Sequence, residues 1–234
     1  MKSREIFSFC LAGVFAGLAI GLGATASLFA GSLLSGLGGR LVGGCLFTLG
    51  MFLVIAFELR LFTGMNARIP QMRVKDVWQL PVCFMANAVG IAIAFVLVRF
   101  SFLGETVAAQ GSALVEAKLD AEGWIGKSFC SAVLCGVLIT FSVLAFDAAK
   151  KKGLSATFGA LAPIAVFAFC GFDHSVANMF YLYCFGECSL RVVGYVLIVI
   201  AGNVCKARPY ASTTTSRFLT KWTLVYSCAG RMAK

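Results

Sequence analysis

The stretch FAFCGFDHSVANMFYLY, Phe167 to Tyr183, is apolar at both ends and broken in the middle. The residues leading into it, from Phe158 to Cys170, form an apolar run fit to enter a bilayer. Gly171, Asp173 and His174, the one histidine of the protein, interrupt that run, and Ser175 to Tyr183 resumes as a second short apolar segment. A helix that opens at membrane depth leaves backbone N–H and C=O groups that lipid cannot satisfy. The break must therefore be covered by protein or line a polar cavity, and an ionisable residue placed there is a candidate functional group. A lone histidine in an apolar segment is more often a satisfied core residue. Its position beside a Gly-Phe-Asp break favours function.

The rest of the composition agrees with a membrane setting. The chain of 234 residues is 60% hydrophobic and 13% charged, with a mean hydropathy of +0.91. These values describe a polytopic membrane protein. At about 20 residues per span, six crossings fit with short loops. The net charge of +10 fits basic cytoplasmic loops beside anionic headgroups, not nucleic-acid binding, because the basic residues form no continuous face. The 10 cysteines are scattered, mostly within apolar runs, and no CxxC is present. They read as small buried hydrophobes, and neither a metal nor a cofactor is expected. The first apolar run, Ile6 to Ala30, exceeds a signal peptide's apolar core and shows no clear cleavage site, so it reads as a span.

In chain order, Ile6 to about Gly31 is the first span, with Gly13, Gly17 and Gly21 spaced for close helix approach. The GLGATA stretch at Gly21 has no preceding strand, so it reads as packing and not as a dinucleotide fingerprint. Ser32 to Arg40 is expected as a Gly/Ser loop, and Leu41 to about Leu59 as the second span. That span ends in FELRLFTGMNARIPQ, where Leu61-Phe62-Thr63-Gly64 breaks it beside Glu58 and Arg60. Val77 to Phe102 is the third span, entered through the interfacial anchor Trp78. Gly104 to Lys127 is expected as a polar loop with a helical turn or two. Ser128 to Phe146 is the fourth span, and Leu154 to Tyr183 the broken fifth. The sixth apolar run, Val192 to Val204, reaches about 20 Å against a bilayer core of about 30 Å. From Cys205 the chain turns basic and polar. Residues 1–204 thus read as one transmembrane domain and 205–234 as a basic polar tail.

A cytoplasmic N-terminus puts Lys2, Arg4, Arg68, Arg73, Lys75, the Lys150–Lys152 run and the basic tail inside. Arg40, Arg99, Lys118, Lys127 and Arg191 remain outside, which satisfies the positive-inside rule. Spans two and five are both interrupted, and each is the middle member of three. That is the pattern of a 3+3 inverted repeat with its site between the breaks. Half-helices starting at the breaks are expected to aim free N–H groups at that site and to favour an anion. Thr63 adds a hydroxyl and His174 a ring N–H, among the bulky Leu61, Phe62, Phe167 and Phe172. Glu58, Arg60 and Asp173 read equally well as an internal charge network. Asn178 either hydrogen-bonds into the site or packs helices.

GFDHSVANMFY closely resembles the signature of the formate/nitrite transporter family, and LFTG resembles its other loop. The resemblance covers roughly residues 6 to 204. It implies an aquaporin-like, all-α fold of six transmembrane helices, a homopentamer with one pore per protomer, and passage of small monovalent anions. By position it makes Thr63 and His174 the central polar pair, Leu61 and Phe167 the two apolar constrictions, and Asn178 a neighbour of the histidine. It also implies a vestibule lysine, assigned to Lys118 with Lys127 as the alternative. Arg60 stands where many members carry an acid, and Thr140 where formate channels carry asparagine. Both departures resemble the hydrosulfide branch. The last span departs as well, since the Gly-rich turn of helix usual after Gly-Asn does not follow Gly202-Asn203.

The expected function is a channel-like transporter in the inner or plasma membrane for formate or nitrite, with hydrosulfide the alternative within the family. A bare anion meets a penalty of several kcal/mol in apolar constrictions. Lysine and helix dipoles can offset it, or His174 can help protonate the anion. Burial opposes the imidazolium, which makes His174 a hydrogen-bond donor or a brief proton relay. A membrane enzyme lacks a catalytic set here. A neutral-solute pore leaves a lysine and a histidine on one path without a purpose.

Overall fold

Small residues set how closely the first helices approach. The structure, a computed structural model, describes residues 3–69, 72–151 and 156–205. Helix α1 (Ser3–Leu33) packs along α2 (Gly36–Ala56) and α4 (Gln79–Arg99). A Cβ at Gly17 would lie 2.1 Å from the Asn87 carbonyl oxygen, and one at Gly21 would lie 2.4 Å from the Ala94 methyl. The four-residue glycine spacing is therefore a packing stripe, as its sequence suggests.

Two expected loops are shorter than the sequence indicates. Helix α2 begins at Gly36, after Ser35 in extended conformation, so the 32–40 segment is mostly helical. Its glycines are poor helix formers, but tertiary contact outweighs propensity. Gly44 lies against the backbone of Ala165 and Phe169, where any side chain would collide. The expected polar loop between spans three and four is a 16-residue helix, α5 (Gly104–Leu119), which buries Val107, Gly111, Val115 and Leu119. These positions recur every four residues, so the segment has a core-facing stripe that its polar composition obscures.

The remaining elements are α3 (Phe62–Asn66), α6 (Trp124–Lys151), α7 (Ala156–Cys170), α8 (Ser175–Phe185) and α9 (Leu190–Cys205), with a 3-10 turn at Val74–Asp76. Helix α6 packs on α7 and α9, α2 on α7, and α5 on α8. Among the described residues, five stretches are long and apolar enough to cross a membrane: Ser3–Leu33, Gly36–Ala56, Val74–Arg99, Trp124–Asp147 and Gly159–Phe185. Helix α9 is shorter, 16 residues, or about 24 Å. Its first turn adds Leu190 and Arg191 to the apolar run. Arg191 anchors it there by donating to the Leu119 carbonyl and lying 5.7 Å over the Trp124 ring. The tail from residue 206 lies outside the described residues.

One large apolar cluster joins the two broken helices. It includes Leu61 and Phe62 from the first break and Phe167, Val176 and Phe180 from the second.

Candidate functional site

Both breaks close their leading helix in the same way. After α2, Leu59 N–H reaches the Val54 carbonyl (2.9 Å) and Glu58 N–H the Ile55 carbonyl (3.3 Å). After α7, Phe172 N–H reaches the Phe167 carbonyl (3.0 Å) and Gly171 N–H the Ala168 carbonyl (3.1 Å). Each is a Schellman closure, which requires a left-handed residue at its turn. Gly171 has φ 71° there; Glu58 has φ 51° and is the one non-glycine residue with positive φ among the described residues.

Each half-helix is then held by an asparagine from a neighbouring helix. Asn87 on α4 accepts from Phe62 N–H (2.8 Å) and donates to the carbonyls of Arg60 and Gly13 (2.8 Å each). Asn203 on α9 accepts from Ser175 N–H (2.9 Å) and donates to the carbonyls of Asp173 (2.9 Å) and Ala132 (2.8 Å). Both asparagines are fully buried. These clamps revise the expectation of free N–H groups. At membrane depth an unpaired N–H is costly, so the first donors of both half-helices are already bonded. The sequence reading missed Asn87 and Asn203. A buried asparagine in an apolar span needs partners, and FMANAVG and IAGNVC carry that signal.

The half-helix N-termini meet at Thr63 and His174, with Thr63 Oγ1 2.9 Å from His174 Nε2. His174 is also the N-cap of α8, and its Nδ1 accepts from Ala177 N–H at 3.0 Å. With the Nδ1 lone pair engaged, the proton of neutral His174 sits on Nε2, which donates to Thr63 Oγ1. The Thr63 hydroxyl proton is then directed elsewhere. Phe167 stacks on the imidazole, centroids 5.4 Å apart and planes 7° from parallel. Leu61, the residue before α3, is buried.

Asp173 forms a second polar cluster. Its Oδ1 accepts from Lys118 Nζ (2.5 Å), Tyr195 Oη (2.5 Å) and Asn178 Nδ2 (2.9 Å). Its N–H donates to Ser131 Oγ at 2.9 Å, and Lys118 also donates to the Gly171 carbonyl at 3.1 Å. The Asn178 side chain thus serves Asp173 and Tyr195, not the Thr63–His174 pair. Lys118 stands against the second break, while Lys127 is exposed in the first turn of α6. Tyr195 and Ser131 were not foreseen, because only the fold brings α6 and α9 to this turn. Thr140 is half-buried and donates to its own helix, at the Gly136 carbonyl (3.0 Å).

Paired half-helices that meet N-terminus to N-terminus among membrane-length helices define an all-α, multi-pass membrane protein built around two breaks. The chain belongs to the formate/nitrite transporter family, which residues 2–225 match. It is 32% identical over 180 residues to the formate channel FocA of Escherichia coli (strain K12), covering 72% of this chain and 61% of that one. It is 29% identical over 155 residues to FocA of Haemophilus influenzae (strain ATCC 51907 / DSM 11121 / KW20 / Rd), covering 60% and 52%. The chain therefore spans less than two thirds of the length of these relatives. Among solved structures, a pentameric formate channel with formate bound gives a TM-score of 0.73 at 19% identity, covering 97% of this chain and 100% of that one. An FNT family ion channel gives 0.76 at 22% identity, covering 95% and 92%. At these identities the structures bear on the fold.

Proposed function

We propose that this protein is a membrane channel for small monovalent anions, with formate the first cargo to test. The observation that carries the reading is the Thr63–His174 pair, held between two half-helix N-termini and flanked by Leu61 and Phe167. A hydrogen-bonded pair in an apolar setting, with the Thr63 hydroxyl proton directed away from His174, suits a small anion that sheds most of its water. The half-helix dipoles place positive ends toward the same point, although their first N–H groups are engaged.

The matching closures and asparagine clamps support a 3+3 inverted repeat. Break residues 58 to 62 correspond in order to 171 to 175, and the clamps come from the third and sixth helices of membrane direction, α4 and α9. Lys118, shared between Asp173 and the Gly171 carbonyl, serves as the vestibule cation. Leu61 and Phe167 serve as the constrictions. Asn178 acts indirectly, by fixing Asp173.

His174 acts in this reading as a neutral donor. A second ring proton would have to displace the Ala177 cap, worth about 1 kcal/mol, and would place a charge in an apolar surrounding. The cargo crosses as an anion that borrows hydrogen bonds from the Thr63–His174 pair. By analogy with the pentameric neighbour, the protein assembles as a homopentamer in a cell membrane, with its N-terminus in the cytoplasm. The direct test is formate, nitrite and hydrosulfide flux into proteoliposomes. Saturable formate flux supports the reading, and flux of neutral solutes such as glycerol with no anion flux refutes it.

A further inference from the structure

Helices α1 and α4 lie side by side along a seam of small residues, and the seam sets a register. A Cβ on Gly13 would lie 2.6 Å from the Ala86 Cβ, and one on Gly21 would lie 2.4 Å from the Ala94 Cβ. Both pairs ascend together, so the helices run parallel and stay close over two turns. Cys10 stands three residues before Gly13, and Cys83 three before Ala86. The same register therefore sets Cys10 against Cys83, one turn nearer the start of both helices. The two thiols lie within electrostatic range of each other, and Cys10 packs against the apolar cluster that contains Cys83. Both are free thiols. At the level of Gly13 and Ala86 the backbones come nearer than a disulfide requires, since its two Cβ atoms sit about 3.5–4.5 Å apart.

The two cysteines differ in exposure and in bonding. Cys10 is half-buried, while Cys83 is completely buried. The Cys83 thiol donates to the Arg60 carbonyl at 3.2 Å, at the corner of the first break. The same corner is tied to α1, because Arg60 N–H donates to the Ala12 carbonyl at 3.4 Å. It is tied to α4 as well, because Asn87 Nδ2 donates to the Arg60 carbonyl at 2.8 Å. Neither sulfur takes part in the Thr63–His174 pair or in the Asp173 cluster. A partly accessible thiol facing a buried one is the arrangement of an oxidisable pair, in which the first meets the oxidant and the second resolves the product.

We propose that Cys10 and Cys83 form a peroxide-sensitive dithiol that closes to a disulfide between α1 and α4 beside the first break. Hydrogen peroxide is the oxidant. The Cys10 sulfur attacks one peroxide oxygen, the O–O bond breaks, and the products are a sulfenic acid on Cys10 and one water. The Cys83 sulfur then attacks the sulfenic sulfur and the S–O bond breaks. The leaving hydroxide takes the Cys83 proton and becomes a second water. The two sulfurs together give up two electrons and two protons, and the peroxide is reduced to two waters. The proton lost from Cys83 is the one it donates to Arg60. Closure therefore removes a hydrogen bond from the corner of the break and puts a covalent tie between α1 and α4 in its place.

The test treats the full chain in proteoliposomes with hydrogen peroxide, blocks the remaining thiols in denaturant and cuts the chain after Lys and Arg. Fragments 5–40 and 76–99 each hold a single cysteine, Cys10 and Cys83. A mass equal to the two fragments less two hydrogens therefore identifies the bond. This linked species is expected from chains that run as monomers on a denaturing, non-reducing gel, and dithiothreitol is expected to abolish it. Cys83→Ser keeps a hydroxyl donor for the Arg60 carbonyl and removes the resolving sulfur. In that variant Cys10 is expected to remain as a sulfenic acid that a dimedone probe captures, several-fold more than in the wild type. If excess peroxide leaves the two fragments unlinked, or joins either of them to another cysteine instead, the inference is overturned. Equal dimedone capture at Cys10 in the wild type and in Cys83→Ser overturns it as well.

Discussion

His174 holds two hydrogen bonds of opposite sense, accepting at Nδ1 and facing Thr63 at Nε2. A relay that delivers a proton to each passing anion would have to cycle through a form that breaks one of them. His174→Asn separates the two roles. Asparagine caps helices well, so stability is expected to stay within about 1 kcal/mol of wild type. Formate current is expected to weaken, because the shorter side chain cannot cap α8 and reach Thr63 together. No proton movement is expected to accompany formate in either protein across roughly pH 5 to 8, the range in which histidine titrates. Flux measured together with internal pH in liposomes checks this, and proton movement lost in the variant would restore the relay. The asparagine clamps permit a sharper comparison. Asn87→Leu and Asn203→Leu each strand one N–H, that of Phe62 or Ser175, and remove two bonds donated to carbonyls. Each is expected to cost about 3 kcal/mol or more, because buried groups lose partners that lipid cannot replace. Thermal unfolding in detergent measures both. Clearly unequal losses would mean that the two breaks are not held alike.

At the level of elements, the two Schellman closures carry different residues at the left-handed position, Glu58 in the first and Gly171 in the second. No atom lies within 4 Å of a Cβ built on Gly171, so Gly171→Ala probes backbone strain alone. It is expected to destabilise the protein by about 1 kcal/mol, and Glu58→Gly to stabilise it by a similar amount. The same unfolding measurement checks both, and a neutral Gly171→Ala would remove the argument that the left-handed turn matters. These breaks were the most legible feature of the sequence. Gly171-Phe-Asp-His in an apolar run has few physical solutions, and LFTG repeats the situation, so the Thr63–His174 meeting could be read from the chain. Helix α5 and the start of α2 could not. The buried stripe of α5 is diluted by polar residues, and the glycine-rich start of α2 is held by backbones packed against Gly43 and Gly44. The clamps were missed for the same reason: an asparagine's partners are set by which spans become neighbours, and that is a property of the fold. The expectation of free N–H groups did not anticipate that Phe62 and Ser175 donate to the asparagines, because it considered the half-helix without the helices beside it.

For the whole molecule, the two breaks open toward opposite ends of the bundle. Arg4, Glu5, Glu58 and Arg60 share one hollow, and Arg68 joins Asp147 near the end of α6. Lys118 meets the turn after α7, and Arg191 pairs with Asp120 at 3.6 Å near the start of α6. The N-terminus and the end of α6 therefore lie on one side and α5 on the other, whichever way the protein sits in the bilayer. The charge count of the sequence then supports the proposed cytoplasmic N-terminus. A native mass of five 24.8 kDa chains in detergent is expected for the proposed pentamer, and a monomer would refute it. Topology is tested with reporters fused after Lys152 and inserted near Gln110. The first is expected in the cytoplasm together with the N-terminus, and the second outside. If all positions are exchanged, the charge argument fails and the architecture stands. If Gln110 and Lys152 report the same face, α6 does not cross the membrane, and the second break cannot face the first from the opposite side.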